Sequence, residues 1–340
     1  MKEASFYQKL DNKAVRCNLC PHNCLISAGK SGICGARKNI DGILYTLNYG
    51  VVEGMAIDPI EKKPLYHYYP GSVILSVGTL GCNLKCPFCQ NSHLSRFFDE
   101  FTVTEIEPNM SPEDLFLSLM KNQKLYNYNI LPGIAYTYSE PIVWYEFVFE
   151  TAERLKKNGY KNVLVTNGYI EKEPLKKILS LIDAANVDLK AFSEENYRKL
   201  TGKLSPVLDF INTLIEAKKH VEITTLIVTE FNDNLTEIEN LVKWVSSLDR
   251  NIPFHFSRYY PAYKYNRPPT DIEFLRKAKE IAKNFLNYVY LGNVMESQNT
   301  YCPKCRNLLI QRNGYDINIV GISEKKCNKC GRKADFIFGD

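Results

Sequence analysis

What this chain lacks narrows its class before any motif is read. Its longest apolar runs, at 73–77 and 226–228, are strand-sized, whereas a membrane-spanning helix needs ~20 such residues. The N-terminus, MKEASFYQKL, has no apolar stretch of the signal-peptide kind, so the chain is expected to be soluble and cytoplasmic. Internal repeats and low-complexity tracts are also missing. Charge of one sign is scarce: 43 Lys and Arg against 38 Asp and Glu leave +5 over 340 residues. That is no strong DNA-binding signal, and it neither demands nor excludes a nucleic-acid partner. Disorder is excluded, because 45% hydrophobic residues suffice for a substantial core.

Cysteine is what the chain does have. Its 11 cysteines fall into three groups: Cys17, Cys20, Cys24 and Cys34; Cys82, Cys86 and Cys89; and Cys302, Cys305, Cys327 and Cys330. A secreted disulfide scaffold would be shorter and evenly paired. Groups of four, three and four thiols read instead as three metal sites in a reducing compartment.

The chain divides into three zones. Residues 1–71 form a small Cys-rich, metal-stapled module, too short to build a large core of its own. Residues 72–298 alternate apolar strand-like runs with amphipathic helices. The expected strands are 73–78, 133–138, 162–167, 184–189, 221–228, 252–257 and 288–292. The expected helices are 111–124, 142–157, 174–181, 194–200, 207–219, 235–247 and 271–284, the first opened by a Ser111-Pro112-Glu113-Asp114 cap. This alternation predicts a parallel α/β sheet, an open or partial (βα)6-type TIM barrel with its chemistry at the C-terminal ends of the strands. Residues 299–340 form a third module.

The central motif is Gly81-Cys82-Asn83-Leu84-Lys85-Cys86-Pro87-Phe88-Cys89-Gln90-Asn91, directly after the first expected barrel strand. Three thiolates on one loop can wrap three corners of a four-iron cube, and no fourth Cys lies nearby. One iron then keeps an open position, which a catalytic metal site requires. The alternative is a structural zinc loop lacking its fourth ligand.

The Cys-x3-Cys-x2-Cys spacing, with Phe88 before the last Cys, resembles the signature of the radical S-adenosylmethionine (SAM) superfamily. The resemblance implies a [4Fe–4S] cluster on Cys82, Cys86 and Cys89 whose open iron is chelated by SAM. A one-electron donor then drives reductive cleavage of SAM to a 5′-deoxyadenosyl radical, which takes hydrogen from a substrate. Polar residues at later strand ends would complete a SAM site. Glu140 could accept from the SAM ammonium or simply help start the next helix; Tyr138 and Ser139 stand where the family carries glycines. Asn167 closes the third strand. Asp188 and Lys190 resemble the Asp-x-Lys of pyruvate formate-lyase activating enzyme, and by that resemblance face the ribose and carboxylate; the alternative is a surface salt bridge. His255 and Arg258 could meet adenine, ribose or substrate, or His255 could be a core histidine.

Cys302-x2-Cys305 and Cys327-x2-Cys330 resemble a zinc ribbon, although a rubredoxin-like iron site uses the same ligands. The N-terminal four could hold zinc or an auxiliary iron–sulfur cluster, with His22 as a turn residue. Stretches from Cys17-Asn18-Leu19-Cys20 to Asn299-Thr300-Tyr301-Cys302 resemble the radical SAM member of the AmmeMemoRadiSam group, related to glycyl-radical activating enzymes. That implies activase-like chemistry on a protein, RNA or small-molecule substrate, a macromolecule being favoured by the appended ribbon. The competing class is a non-catalytic zinc-ribbon interaction protein whose barrel no longer binds SAM.

Overall fold

The computed structural model describes residues 1–103, 105–126 and 132–339. Its centre is an eight-stranded sheet: β1 (Gly54–Pro59), β2 (Val73–Gly78), β3 (Gly133–Tyr136), β4 (Lys161–Thr166), β5 (Ala184–Asp188), β6 (His220–Ile227), β7 (Phe254–Arg258) and β8 (Val289–Gly292). The strands lie in sequence order across the sheet. From β2 to β8 every pairing is parallel, and β1 alone runs antiparallel, against β2. The sheet is not closed, since β1 and β8 are its two edges. The architecture is therefore the expected α/β partial barrel.

Helices cross between the strands: α1 (Pro112–Tyr126), α2 (Tyr145–Lys157), α3 (Lys172–Leu179), α4 (Glu194–Lys199), α5 (Leu204–Glu216), α6 (Leu235–Leu248) and α7 (Ile272–Lys283). All but the short α4, which buries only Asn196 and Tyr197, form where apolar residues recur at helical spacing. In α2, Phe147, Val148, Thr151, Ala152 and Leu155 are buried while Arg154, Lys156 and Lys157 close the last turn. Asn234 caps α6 through Thr236 N and Glu237 N, and Asp271 caps α7 through Glu273 N.

Side chains on a strand alternate between faces, and in the partial barrel this builds layers. On β6, Val221, Ile223 and Ile227 join the apolar core, whereas Glu222, Thr224 and Leu226 occupy the other set of positions. The N-terminal 53 residues add two small three-stranded antiparallel sheets, Lys2–Glu3, Ile43–Thr46 and Arg37–Ile40, and Tyr7–Lys9, Val15–Cys17 and Leu25–Ile26. The strand β1, inside the expected first zone, hydrogen-bonds along the whole of β2. Its half-exposed pattern, with Met55 47% exposed, carries no strong strand period.

The C-terminal segment forms a ribbon of Thr300–Tyr301, Leu308–Asn313 and Asp316–Ile319. It docks at the N-terminal end of the barrel. Arg312, 1% exposed, donates to Tyr66 O at 2.7 Å and Thr300 Oγ1 at 2.5 Å and lies 4.6 Å from the Tyr66 ring centre. Phe336 stacks on His67 at 4.1 Å, and Tyr69 N and Ile337 N bond across to Ile337 O and His67 O.

Candidate active site

A cavity of about 310 Å³ opens at the C-terminal ends of the parallel strands. Cys82, Cys86, Cys89, Phe88, Glu140, Asn167, Asp188 and Lys190 all line it. Seven of these residues come from one loop and three successive strand ends, and Lys190 follows β5. The sequence expectation therefore converges on one place. His255 and Arg258 do not line it.

The cysteine loop leaves β2 through Gly81, whose φ of +96° only glycine adopts readily. A Cβ there would approach Cys34 O to 3.0 Å. Asn83 is fully buried and ties the loop down: its Nδ2 donates to Tyr169 O at 2.7 Å, and its Oδ1 accepts from Asn167 Nδ2 at 2.9 Å. Ser95 Oγ lies 3.1 Å from Cys89 Sγ, and Arg96 donates to Cys82 O at 3.4 Å. Burial pushes the Cys86 thiol up to about 11 and the Cys82 thiol higher still. Without a cation these thiols stay protonated. Metal ligation, which stabilises thiolate, reverses that.

Glu140 follows β3 and is 2% exposed. Its Oε1 accepts from Ile142 N at 3.0 Å and Thr166 Oγ1 at 2.6 Å, and its Oε2 from Asn167 N at 2.8 Å. Burial, partly offset by these bonds, pushes its pKa up to about 7. A carboxylate offers about four accepting positions, so Oε2 keeps one towards the cavity. Glu140 also caps the helical turn Pro141–Trp144 through Ile142 N, as its second reading expected.

Tyr138, where the family carries glycine, holds a left-handed φ of +67°, a conformation costing a non-glycine residue about 1–2 kcal/mol. The strain is held by its surroundings. Tyr138 Oη donates to Asp58 at 2.7 Å, Lys63 Nζ lies 4.6 Å from the ring centre, and Lys63 pairs with Asp58 at 2.7 Å.

Lys190 Nζ pairs with Asp188 at 2.9 Å. Burial works against the Lys190 charge, but Asp188 and, when ionised, the thiols of Cys86 and Cys89 raise its pKa above the ordinary lysine range. The pair is part-buried at the cavity wall rather than a free surface bridge. Two more hydroxyls face the same space. Ser139 Oγ and Thr224 Oγ1 are buried, line the cavity and have no hydrogen-bond partner among the described residues. Orphaned buried polar atoms are costly, and a polar ligand would satisfy them.

His255 lies a layer below. Its Nε2 bonds Glu222 Oε2 at 2.7 Å, and its ring meets Tyr66 edge-on. Glu222 also accepts from Tyr66 N, His67 N and His220 Nε2. The histidine is therefore part of a buried polar network at the barrel's N-terminal end. The expected strand 252–257 starts at Phe254 and runs to Arg258, so Ser257, not His255, reaches the cavity. Arg258 donates instead to Thr270 O at 2.8 Å and Tyr260 Oη at 3.1 Å. Asn83, Asn91, Ser95, Arg96 and Ser257 escaped notice in the sequence. Asn91 and Ser95 stand within six residues of Cys89, and their polar character beside the motif was the available signal.

Cys302, Cys305, Cys327 and Cys330 gather tightly. Cys302 and Cys330 sulfurs lie 3.6 Å apart, and Cys305 and Cys327 3.7 Å. A tetrahedral ion with 2.3 Å metal–sulfur bonds sets sulfurs about 3.8 Å apart. Among the described residues this is the one group of three or more His, Cys, Asp or Glu ligands whose donor atoms all lie within 4.8 Å of one another. The thiols of the other two groups are set wider.

Residues 76–245 match the family described as the radical SAM superfamily, and the chain belongs to that family. Its relatives include the uncharacterized protein MJ0808 of Methanocaldococcus jannaschii, 43% identical over 99% of this chain and 100% of that one. A putative glycyl-radical enzyme activating enzyme of the same organism, MJ1632, is 32% identical over 62% of this chain and 77% of that one. The 4-hydroxyphenylacetate decarboxylase activating enzyme of Clostridium scatologenes is 24% identical over 65% and 57%. Among solved structures, a domain of pyruvate-formate lyase-activating enzyme from Bacteroides vulgatus aligns with TM-score 0.41 at 18% identity, over 47% of this chain and 98% of that one. The family implies a [4Fe–4S] cluster and SAM. The cavity suits both: three soft thiol donors sit on one loop, not drawn within 4.8 Å of one another as the C-terminal four are, and orphaned hydroxyls and charged groups line the same space. Among the described residues, no helix is long and apolar enough to cross a membrane.

Proposed function

We propose that this chain cleaves SAM reductively and uses the product to abstract hydrogen from a substrate, in the manner of a glycyl-radical activating enzyme. When bound, the cluster and SAM supply a 5′-deoxyadenosyl radical. The residues of the chain supply the rest. Cys82, Cys86 and Cys89 hold three irons and leave the fourth to SAM. Glu140 Oε2 accepts from the SAM ammonium. Lys190, kept charged by Asp188, faces the SAM carboxylate, and Asp188 accepts from the ribose. Asn167 keeps both Glu140 and the cysteine loop in place through its backbone N–H and its side chain. Phe88, 3% exposed and edge-on to Phe231 at 5.1 Å, closes the wall beside Cys89 and excludes water. Ser139 and Thr224 offer hydroxyls to the remaining polar groups of SAM.

The observation that carries this reading is the convergence of three thiols, an acid with a spare accepting position and a paired lysine on one cavity. A protein substrate is supported by the names of the activating-enzyme relatives. The ribbon does not add to that support, because it docks at the barrel end away from the cavity. We take its four thiols to hold zinc as a staple. The reading is tested by electron paramagnetic resonance of the anaerobically reconstituted, reduced protein. Saturating SAM should change the cluster spectrum, because SAM ligates the open iron. A spectrum indifferent to SAM would refute it.

A further inference from the structure

Cys17, Cys20, Cys24 and Cys34 are untouched by this function, yet the fold assembles them. Cys17 N donates to Cys24 O at 3.0 Å, and Cys17, Cys20 and Cys24 pack in or against one apolar core. Gly32 packs against Cys24, where an added Cβ would lie 3.5 Å from the sulfur. Arg37, 1% exposed, donates to Cys17 Sγ at 3.9 Å, and its Nε has no partner among the described residues. These thiols are set wider than the tetrahedral C-terminal group. A single tetrahedral ion sets its sulfurs about 3.8 Å apart, whereas these are not drawn within 4.8 Å of one another, and a polynuclear cluster accommodates the wider set.

This group is joined to the SAM-site cysteine loop at two points. His22, between Cys20 and Cys24, has Nε2 2.7 Å from the carbonyl oxygen of Asn83, the residue after Cys82. Cys34 O packs against Gly81, the residue before Cys82. None of the four lines the cavity. The group therefore meets the cysteine loop away from the space where substrate would enter.

We propose that Cys17, Cys20, Cys24 and Cys34 hold a second iron–sulfur cluster that relays single electrons to the cluster on Cys82, Cys86 and Cys89. The proposal rests on the radical SAM reading of the Cys82, Cys86 and Cys89 site. Four cysteine ligands leave no open iron, so this cluster changes only its oxidation state. A low-potential one-electron donor protein loses one electron. The N-terminal cluster passes from 2+ to 1+ and returns to 2+ as the SAM-site cluster goes from 2+ to 1+. No bond forms or breaks and no proton moves.

The test uses the full-length chain, anaerobically reconstituted. The triple variant C82A/C86A/C89A should keep about half of the wild-type iron and sulfide, with a reduced-state spectrum unaffected by SAM. A triple variant without iron, or wild-type protein holding two zinc ions per chain, would overturn the proposal. A wild-type protein that in the same assays cleaves SAM would leave the radical SAM reading standing. In C20A/C24A, with SAM-site iron and chemical reduction intact, reduction by the donor protein should slow several-fold. An unchanged rate there would overturn the relay. If C20A/C24A loses its SAM-site iron, the metal content of the triple variant decides.

Discussion

Replacing Glu140 with Gln should weaken SAM binding and remove its pH dependence. The substitution keeps the size of the side chain and an oxygen for the donors Ile142 N and Thr166 Oγ1, but it removes the negative charge that faces the cavity and sets an amide N–H against Asn167 N, which Oε2 accepts from in the wild type. A hydrogen bond to a charged group contributes about 1.5–3 kcal/mol. At ~1.4 kcal/mol per tenfold, the variant should bind SAM about 10- to 150-fold more weakly at pH 8. The pH dependence follows from burial, which pushes Glu140 up to about 7. Only the ionised carboxylate pairs with an ammonium, so wild-type affinity should rise as pH passes upward through about 7. For stability the sign is opposite. A carboxyl whose folded pKa is raised adds stability below the ordinary glutamate range, and that stability is lost as pH rises through about 7. Equilibrium dialysis of SAM against reconstituted protein at pH 6 and pH 8 measures the first effect, with iron content as the control. If E140Q binds SAM within twofold of wild type at pH 8, Glu140 does not meet the ammonium and the reasoning fails.

Other perturbations separate chemistry from scaffold. Cys86→Ala should abolish SAM cleavage and lower iron content while far-ultraviolet circular dichroism stays unchanged. Arg312→Ala removes bonds to Tyr66 O and Thr300 Oγ1 and the contact with the Tyr66 ring; it should cost about 2–4 kcal/mol in urea unfolding and leave SAM affinity unchanged. Glu222→Gln should cost about 3–5 kcal/mol, because it breaks a buried charge network. Burial alone would raise the pKa of Glu222, but bonds from His220 and His255 hold it well below the ordinary range. The stability it adds is present above the ordinary glutamate pKa and is lost as pH falls through its depressed folded value. Acid unfolding of E222Q should therefore be shallower than that of wild type, and an identical acid limb would refute this account of Glu222.

Much of the fold was legible because its signals are local. The run at 73–78 is a strand with those bounds, and the apolar spacing at 271–284 yields α7 within one residue at each end. The cysteine spacing and the acid and lysine at strand ends located the cavity for the same reason, since a strand end puts neighbouring residues at one mouth. What stayed hidden depends on distant partners. β1 is specified by pairing with β2 more than by its own pattern. His255 sits one layer too deep because the strand begins two residues later than its apolar run suggests. Arg312 reaches across 246 residues to Tyr66, and no sequence period announces such a contact. Tyr138 in a left-handed conformation is likewise explained only by Asp58 and Lys63, which come from another zone of the chain.

The account stands most directly on one product. Anaerobically reconstituted protein, supplied with SAM and a strong one-electron reductant, should release 5′-deoxyadenosine and methionine, and C86A should release none. Wild-type protein with a full complement of iron and sulfide that leaves SAM intact would contradict it.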